Sequence, residues 1–173
     1  MTVEMKSDLN GSILDIGGGG EAVIGQIYGG RVTAADNCQE ELDEAPDCCT
    51  KLPADAEELP FPDASFDNVT FFYTLMYMTK ETQGKAIGEG ARVLKDGGTM
   101  CVWDCSILSA YPDPFAVELD IRTVNQMIHT SYGIVKRDAQ SSDSIRRLLE
   151  DAGLHIVSLK EEDGQFSIRC RKG

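Results

Sequence analysis

The sequence predicts an α/β protein with a doubly wound, mostly parallel sheet and helices on both of its faces. Strand and helix patterns alternate from residue 12 to about residue 103, which is typical of strands joined by crossover helices. A turn made only of glycine, residues 17–20, follows the first apolar strand. Near the end of the chain, two β-rich runs flank Asp163 and Gly164, a pair that favours a tight hairpin. The sheet is therefore expected to finish in an antiparallel hairpin.

The elements of the alternating part can be placed from their apolar residues. Strands are expected at residues 13–16, 32–35, 48–52, 66–72 and 99–103. Helices are expected at residues 21–28, 39–45 and 80–95. The last of these carries Gly84, Gly88 and Gly90, each of which weakens a helix by roughly 1 kcal/mol relative to alanine. That helix either packs closely on the sheet or is loose, and the Asp-Gly-Gly of residues 96–98 is expected to end it.

The segment 106–140 departs from this alternation. Val117, Leu119 and Ile121 alternate with charged residues, and this period of two predicts a strand with one face in water. We interpret the segment as an insertion that holds an edge strand or a hairpin outside the central sheet, and that serves as a lid or a dimer contact. An apolar edge can pair with another chain, so a homodimer through this strand is one hypothesis.

The C-terminal part returns to regular structure. Ile145, Leu148, Leu149 and Ala152 share one apolar helical face, and Gly153 is expected to end that helix. Residues 154–159 and 165–170 are expected to be the two strands of the closing hairpin.

Length and composition favour a single domain at residues 1–173, in which 42% of the residues are hydrophobic. The net charge of −13 disfavours nucleic acid and anionic membrane surfaces as partners. No apolar run approaches the roughly 20 residues that span a bilayer, and the start lacks a secretion signal, so a cytoplasmic protein is expected. The six cysteines lack the spacing of a zinc site and are expected to be buried, although Cys48 and Cys49 could bind a soft metal. No metal site is predicted.

The glycine turn and the acid that follows the second strand point to a nucleotide-like ligand. Glycines permit positive φ and let a ligand approach main-chain N–H groups. A helix that starts after the turn directs its positive end towards an anion. Asp36 lies nineteen residues beyond Gly17, at the end of the second strand, where a carboxylate can accept both hydroxyls of a ribose. Together these features predict an adenosine-binding βαβ unit.

Four ordered motifs strengthen this prediction. They are the Asp-x-Gly-x-Gly of Asp15, Gly17 and Gly19, the acid Asp36, the run Asp-Ala-Glu-Glu-Leu-Pro-Phe-Pro-Asp-Ala-Ser-Phe-Asp of residues 55–67, and the Arg-Val-Leu-Lys-Asp-Gly-Gly of residues 92–98. From residue 12 to residue 170 the chain resembles the class I S-adenosylmethionine-dependent methyltransferases, in particular the small-molecule group called type 11. The resemblance implies a Rossmann-like sheet with strand order 3-2-1-4-5-7-6.

The resemblance also implies a set of residues for S-adenosylmethionine. The amides of residues 17–20 would take the carboxylate of its methionine tail. Asp55 would reach the adenine amino group and the Ala56 backbone the ring edge. Phe72 and Tyr73 would place carbonyls near the ammonium. The full expected set is Asp15, Gly17, Gly18, Gly19, Asp36, Asn37, Asp55, Ala56, Phe72 and Tyr73.

A small-molecule methyl acceptor is expected at the carboxyl ends of the fourth and fifth strands. Tyr73, Tyr77 and Tyr132 are the candidates for contacting it. Direct methyl displacement requires mainly alignment and exclusion of water, and a base only when the acceptor is protonated. Asp104 and Tyr77 are the catalytic candidates, with capping of a helix or turn as the competing role for Asp104. His129 and His155 are not candidates, since His155 falls in the closing hairpin, away from the expected site, and His129 lies in the irregular segment.

Two departures from the family pattern bear on the site. Glu21 replaces the third glycine, and in the first turn of a helix it would repel a bound carboxylate. The residues before the first strand are too few for the helices that cover the pocket in relatives, so segment 106–140 or a second subunit would have to do so. The alternatives are a methyltransferase fold that only binds, or a nicotinamide-dependent oxidoreductase, whose looser fingerprint Gly17, Gly19 and Ala22 satisfy.

Overall fold

The computed structural model describes residues 2–5, 8–108, 114–123, 125–135 and 138–173, except for the side chain of Thr2. The strands are β1 (Thr2–Glu4), β2 (Ile13–Ile16), β3 (Val32–Asp36), β4 (Thr50–Pro53), β5 (Phe66–Phe72), β6 (Leu94–Cys105), β7 (Phe115–Arg122), β8 (Met127–Ile134), β9 (Leu154–Glu162) and β10 (Gln165–Lys172). The helices are α1 (Val23–Tyr28), α2 (Gln39–Glu44), α3 (Lys80–Val93) and α4 (Ser142–Asp151).

The central sheet has the order β4-β3-β2-β5-β6-β10-β9. Its first five strands are parallel, and β10 is antiparallel to both β6 and β9. The hairpin of β9 and β10 turns through Asp163 and Gly164, which adopt φ values of 49° and 78°. Two consecutive positive φ values give a turn whose twist matches that of the strands. The predicted fold class, strand order and hairpin are confirmed.

The central sheet separates two hydrophobic cores. Neighbouring residues of β2 point to opposite faces because side chains alternate along a strand, so Leu14 belongs to one core and Ile13 to the other. The first core contains residues of α3 and α4, among them Ile87 and Leu149. The second contains residues of α1 and of a smaller sheet, among them Ile24. Helices therefore lie on both faces, and on the second face they share the cover with three further strands.

The smaller sheet has the order β1-β7-β8, with β1 parallel and β8 antiparallel to β7. Because β7 is hydrogen-bonded on both sides, the prediction of an edge strand at Val117–Ile121 is wrong. The alternative prediction, a hairpin outside the central sheet, is right. The apolar face of β7 packs into the second core, where Val117, Leu119 and Ile121 are all buried. This strand therefore offers neither a free edge nor an apolar face to a second subunit.

Two helix boundaries differ from the prediction. Helix α1 begins at Val23, because Ala22 has φ 45° and cannot continue a right-handed helix. Glu21 consequently lies outside the helix, whose first turn contains no acid. Helix α3 ends at Val93, and residues 96–98 lie in β6, where Gly97 has φ 73°. The pairing with β5 jumps there from Leu94 to Thr99, so the glycines form a bulge and do not cap the helix.

Helix α3 packs closely on the sheet where it carries its last glycine. A Cβ at Gly90 would lie 2.9 Å from Met100 Cε and 3.3 Å from Val69 Cγ1. A Cβ at Gly88 would meet nothing within 4 Å. Of the two explanations for a glycine-rich helix, close packing therefore holds at Gly90.

Arg92 ties α3 to the segment that precedes β5. Its guanidinium donates to Glu89 Oε1 at 2.7 Å and to Glu89 Oε2 at 2.8 Å. It also donates to the carbonyl of Phe61 and to Asp63 Oδ1, both at 2.8 Å, and to the carbonyl of Leu59 at 3.1 Å. Glu89 Oε2 accepts in turn from the Leu59 amide at 2.8 Å. The Leu-Pro-Phe motif is thus held in place by the arginine of the following motif.

Replacing Arg92 by methionine is expected to lower the free energy of unfolding by about 2 kcal/mol, because two backbone carbonyls and two carboxylates lose a charged donor. The measurement is urea denaturation at neutral pH. Arg146→Met is the matched control, since its side chain is 33% exposed against 32% for Arg92 and it bonds only the side chains of Asp143 and Glu150 on its own helix. That control should lose less than about 1 kcal/mol. Equal losses would show that Arg92 does not hold the segment.

Candidate functional site

A cavity of about 1160 Å³ opens at the carboxyl-terminal ends of the parallel strands. Its walls come from the segments that follow β2, β3, β4 and β5, and β8 contributes the opposite side. Open parallel sheets bind ligands at this end, because the loops there diverge and leave a crevice. All ten residues that the sequence assigned to the cofactor line the cavity: Asp15, Gly17, Gly18, Gly19, Asp36, Asn37, Asp55, Ala56, Phe72 and Tyr73. Tyr77 and Tyr132 line it as well.

The glycine turn is fixed by hydrogen bonds within the protein. The amides of Gly17 and Gly18 donate to the carbonyl of Ala35 at 2.7 and 3.3 Å. The Gly19 amide donates to Asp36 Oδ2 at 3.2 Å, and the next amide donates to the carbonyl of Glu41 at 2.9 Å. The expectation that these amides take a ligand carboxylate therefore does not fit, because each already has an acceptor. The turn offers the ligand an open surface without side chains.

Close packing explains why glycine occupies the turn. A Cβ at Gly18 would lie 2.6 Å from Asp15 Oδ2, and a Cβ at Gly19 would lie 2.9 Å from Asp36 Oδ2. Real Cβ atoms do not approach an oxygen so closely, so a side chain at either position would displace a carboxylate that lines the cavity. The positions of Asp15 and Asp36 therefore require glycine at residues 18 and 19.

Asp36 is oriented by two backbone amides. Its Oδ1 accepts from the Cys38 amide at 2.9 Å, and its Oδ2 accepts from the Gly19 amide at 3.2 Å. The side chain is half-buried at the end of β3. Since a carboxylate has about four acceptor positions, this one retains capacity for hydroxyl donors from the cavity.

Asp15 forms the buried floor of the cavity. The residue is 2% exposed, and its Oδ1 accepts from Thr70 Oγ1 at 2.7 Å. Burial raises the pKa of the Asp15 carboxyl to about 7, while the Thr70 hydrogen bond lowers it and the charge of Asp36 raises it further. At neutral pH this group is therefore near its own midpoint between the neutral and charged forms.

Asp55 lies at the opposite rim. It is exposed, and its Oδ1 accepts from the Glu57 amide at 2.9 Å, which fixes the carboxylate in a tight turn. Glu57 in turn accepts from Thr82 Oγ1 at 2.9 Å and pairs with Lys85 at 2.9 Å, and these bonds lower the pKa of its carboxyl. This rim is consequently attached to α3.

Aromatic rings form the wall between the two sheets. Tyr73 stacks on Tyr132 with ring centroids 5.4 Å apart and an angle of 8° between the planes, and Phe72 packs edge-on against Tyr73. The Tyr73 hydroxyl donates to Gln165 Oε1 at 2.8 Å. Burial raises the pKa of both stacked tyrosines, and it raises the pKa of Tyr77 to about 12. These phenols therefore remain protonated at neutral pH, which disfavours Tyr77 as a base.

Asp104 is not among the described residues that line the cavity. It is fully buried, and its Oδ2 accepts from the Met76 amide at 3.2 Å. Its Oδ1 accepts from the Cys105 amide and from Gln140 Nε2, each at 2.8 Å. The prediction that Asp104 is an acid–base catalyst is wrong, because its buried side chain does not line the cavity. The competing role holds, because Asp104 caps the short turn at Leu75–Tyr77.

The cover of the cavity is the part of the site that the sequence left open. Ile128, His129, Ser131 and Tyr132 of β8 line the cavity, so the smaller sheet provides the roof. Glu21 Oε1 accepts from Thr130 Oγ1 at 2.7 Å and links the glycine turn to that roof. Glu21 thus neither repels a ligand from a helix end nor belongs to α1. In the sequence, only the alternation of apolar and charged residues in β7 indicated that further strands cover the cavity here.

His129 lies in this cover, in the regular strand β8, whereas the sequence placed it in an irregular segment. Its Nδ1 is 2.5 Å from Asp120 Oδ1, on the residue directly opposite in β7. The cysteines do not join the site: none of the six forms a disulfide among the described residues, Cys101, Cys105 and Cys170 are buried, and the other three are half-buried. Among the described residues, no three metal-ligating side chains gather at one point.

Fold and cavity together define an α/β protein that binds a nucleotide-like ligand at the ends of its parallel strands. Residues 14–102 match the family model described as "Methyltransferase domain". The chain belongs to this methyltransferase family, which confirms the resemblance seen in the sequence motifs. S-adenosylmethionine is the cofactor of the class. Within the described part of the chain, each helix is too short or too polar to cross a membrane.

Three similar proteins illustrate the family. The 27-O-demethylrifamycin SV methyltransferase of Amycolatopsis mediterranei is 30% identical over 161 residues, which are 86% of this chain and 56% of that protein. The structure of a SAM-dependent methyltransferase from Methanosarcina mazei has a TM-score of 0.70 at 20% identity, covering 95% of this chain and 94% of that one. The glycopeptide N-methyltransferase MtfA bound to S-adenosylmethionine has a TM-score of 0.65 at 12% identity, covering 96% of this chain and 89% of that one. The two structures support the fold, and this chain spans about half the length of the curated relative.

Proposed function

We propose that this domain transfers a methyl group from S-adenosylmethionine to a small-molecule acceptor by direct displacement. The observation that carries the proposal is the convergence of ten residues, from the ends of four parallel strands, on one cavity. The similar proteins include an O- and an N-methyltransferase, so they support methyl transfer without choosing the acceptor atom.

The residues present fit the cofactor. The cavity of about 1160 Å³ exceeds the range usual for one small ligand and leaves space for an acceptor beside it. Gly18 and Gly19 keep the floor open, and Asp36 offers a charged acceptor for the hydroxyls of a ribose. Asp55 offers the same to an amino group at the opposite rim. When bound, S-adenosylmethionine supplies an activated methyl group on a sulfonium.

The protein's own contribution is alignment and exclusion of water. Asp36 would fix the nucleoside end, because its carboxylate is already oriented by two amides. Tyr73 and Tyr132 would shield the reacting groups, because their rings stack between the sheets, with Tyr73 buried and Tyr132 half-buried. Tyr77 lies at the rim, half exposed, where an acceptor would contact it.

We also propose a compartment and partners for this reaction, supported by the cysteines and the charge of the chain. Six cysteines without a disulfide among the described residues support a reducing compartment, and we place the protein in the cytoplasm. The net charge of −13 supports an acceptor other than nucleic acid. A homodimer stays a prediction from the sequence, and the buried face and paired edges of β7 give it no support.

Asp36→Asn is expected to weaken binding of S-adenosylmethionine by about tenfold to a hundredfold, because a neutral amide replaces the charged acceptor of the ribose hydroxyls. Isothermal titration calorimetry with S-adenosylmethionine and its demethylated product measures the effect. Asp151→Asn is the control, since it removes the same charge from an exposed position on α4. Binding that is unchanged in Asp36→Asn would remove Asp36 from the site. Failure of the wild-type domain to bind either ligand would refute the proposed function.

A further inference from the structure

Acids outnumber bases in the cavity lining, where the basic side chain among the described residues is His129, whose Nδ1 lies 2.5 Å from Asp120 Oδ1. Seven carboxylates line it: Asp15, Glu21, Asp36, Glu41, Glu44, Asp55 and Glu57. Neither lysine nor arginine occurs among the described residues of the lining. Glu57 is paired with Lys85, whereas the other six carboxylates have no ion-pair partner in the described part of the chain. The cavity therefore has an uncompensated negative potential.

Two of these acids are held in place and directed at the cavity. Asp15 is 2% exposed, and it has a hydroxyl partner but no cation beside it. Glu21 is fixed to the roof by Thr130, and its charge acts on the hydroxyls of Tyr77 and Tyr132 across the cavity. A buried carboxylate without a cation is unfavourable, so the lining is set up to receive positive charge from a ligand.

We infer that this cavity selects its ligands by positive charge and holds the sulfonium donor more tightly than the thioether product. The inference rests on the proposed function. During transfer the bond between sulfur and the methyl carbon breaks, and its electron pair stays on sulfur. A lone pair of the acceptor forms the new bond, so the positive charge passes to the acceptor or leaves with its proton. The product is neutral at sulfur and loses its attraction to the acidic lining, which favours its release.

The experiment compares three probes by calorimetry. They are S-adenosylmethionine, its demethylated thioether product S-adenosylhomocysteine, and an analogue that carries a protonated amine in place of the sulfonium. At about 20 mM salt the two cations are expected to bind about tenfold more tightly than the neutral product. At about 300 mM salt the preference is expected to fall to about twofold, because ions screen exposed charges.

The double variant Glu41→Gln and Glu44→Gln is expected to reduce the preference for the two cations over the neutral product about threefold. The affinity for S-adenosylhomocysteine is expected to stay unchanged. The control is Glu161→Gln with Glu162→Gln, which removes two charges from exposed positions on β9. Product that binds as tightly as the donor, or a preference that does not depend on salt, would overturn the inference while leaving the proposed function intact. Absence of binding by all three probes would overturn both.

Discussion

Gly17→Ala is expected to lower the free energy of unfolding by more than about 3 kcal/mol and to abolish binding of S-adenosylmethionine. Gly17 has φ 74°, which L-residues adopt with strain. A Cβ at this position would lie 2.2 Å from Thr74 Cγ2 and 2.8 Å from Thr74 Cβ. Rotation of the threonine cannot relieve the second contact. The turn after β2 would therefore be forced away from the turn after β5, and the cavity floor would be lost.

Gly29→Ala separates strain from contact. Gly29 has φ 63°, and a Cβ there would meet no atom within 4 Å. Because Gly29 has ψ −143°, outside the left-handed helical region, this variant should lose only the cost of the backbone conformation, about 1 to 3 kcal/mol. Urea denaturation and calorimetry of both variants make the comparison. If Gly17→Ala lost no more stability than Gly29→Ala, the contact with Thr74 would not be what requires glycine.

Asp15→Asn is expected to stabilise the ligand-free protein by about 3 kcal/mol at pH 8 while weakening its binding of S-adenosylmethionine at least tenfold. Burial raises the pKa of this carboxyl from 3.8 to about 7 in the folded protein. The folded state therefore holds a proton that the unfolded state has released between these two values. Stability falls as the pH rises through that window, and the loss is complete above pH 7, at roughly 4 kcal/mol as an upper limit.

The pH dependence gives the test for Asp15. The asparagine retains an oxygen for Thr70 and carries no charge, so its advantage should disappear as the pH falls towards 4. The measurement is the free energy of unfolding of both proteins by urea at several pH values, with Asp151→Asn as the control. A constant difference across the pH range would contradict the assignment of the raised pKa to Asp15.

The sequence predicted the central sheet because its signals are local. Each parallel strand is a short apolar run, and the closing turn is a dipeptide with a known conformational preference. The gathering of the ten expected cofactor residues in one cavity followed, since residues at the carboxyl ends of parallel strands meet at one edge. The strand order could be predicted from the resemblance to the methyltransferase family. Apolar patterns alone would have left the strand order undetermined.

Three features could not be predicted because they depend on distant contacts. Strand β1 has only three residues, and its register is set by pairing with Asp120–Arg122, more than a hundred residues away. Asp104 follows an apolar strand, as a site residue would, but its side chain lies on the face occupied by Gln140. Glu21 was assigned to a helix that begins two residues later, because the left-handed backbone of Ala22 has no sequence signal.

The bonds of Arg92 connect α3 to the rim of the cavity that contains Asp55. The segment that Arg92 and Glu89 hold begins at Leu59, directly after the rim formed by residues 55–57. The rim is also fastened to α3 by Thr82 and Lys85. If this rim holds the adenine, as we propose, substitutions on the outer surface of this helix would change the affinity for the ligand without contacting it.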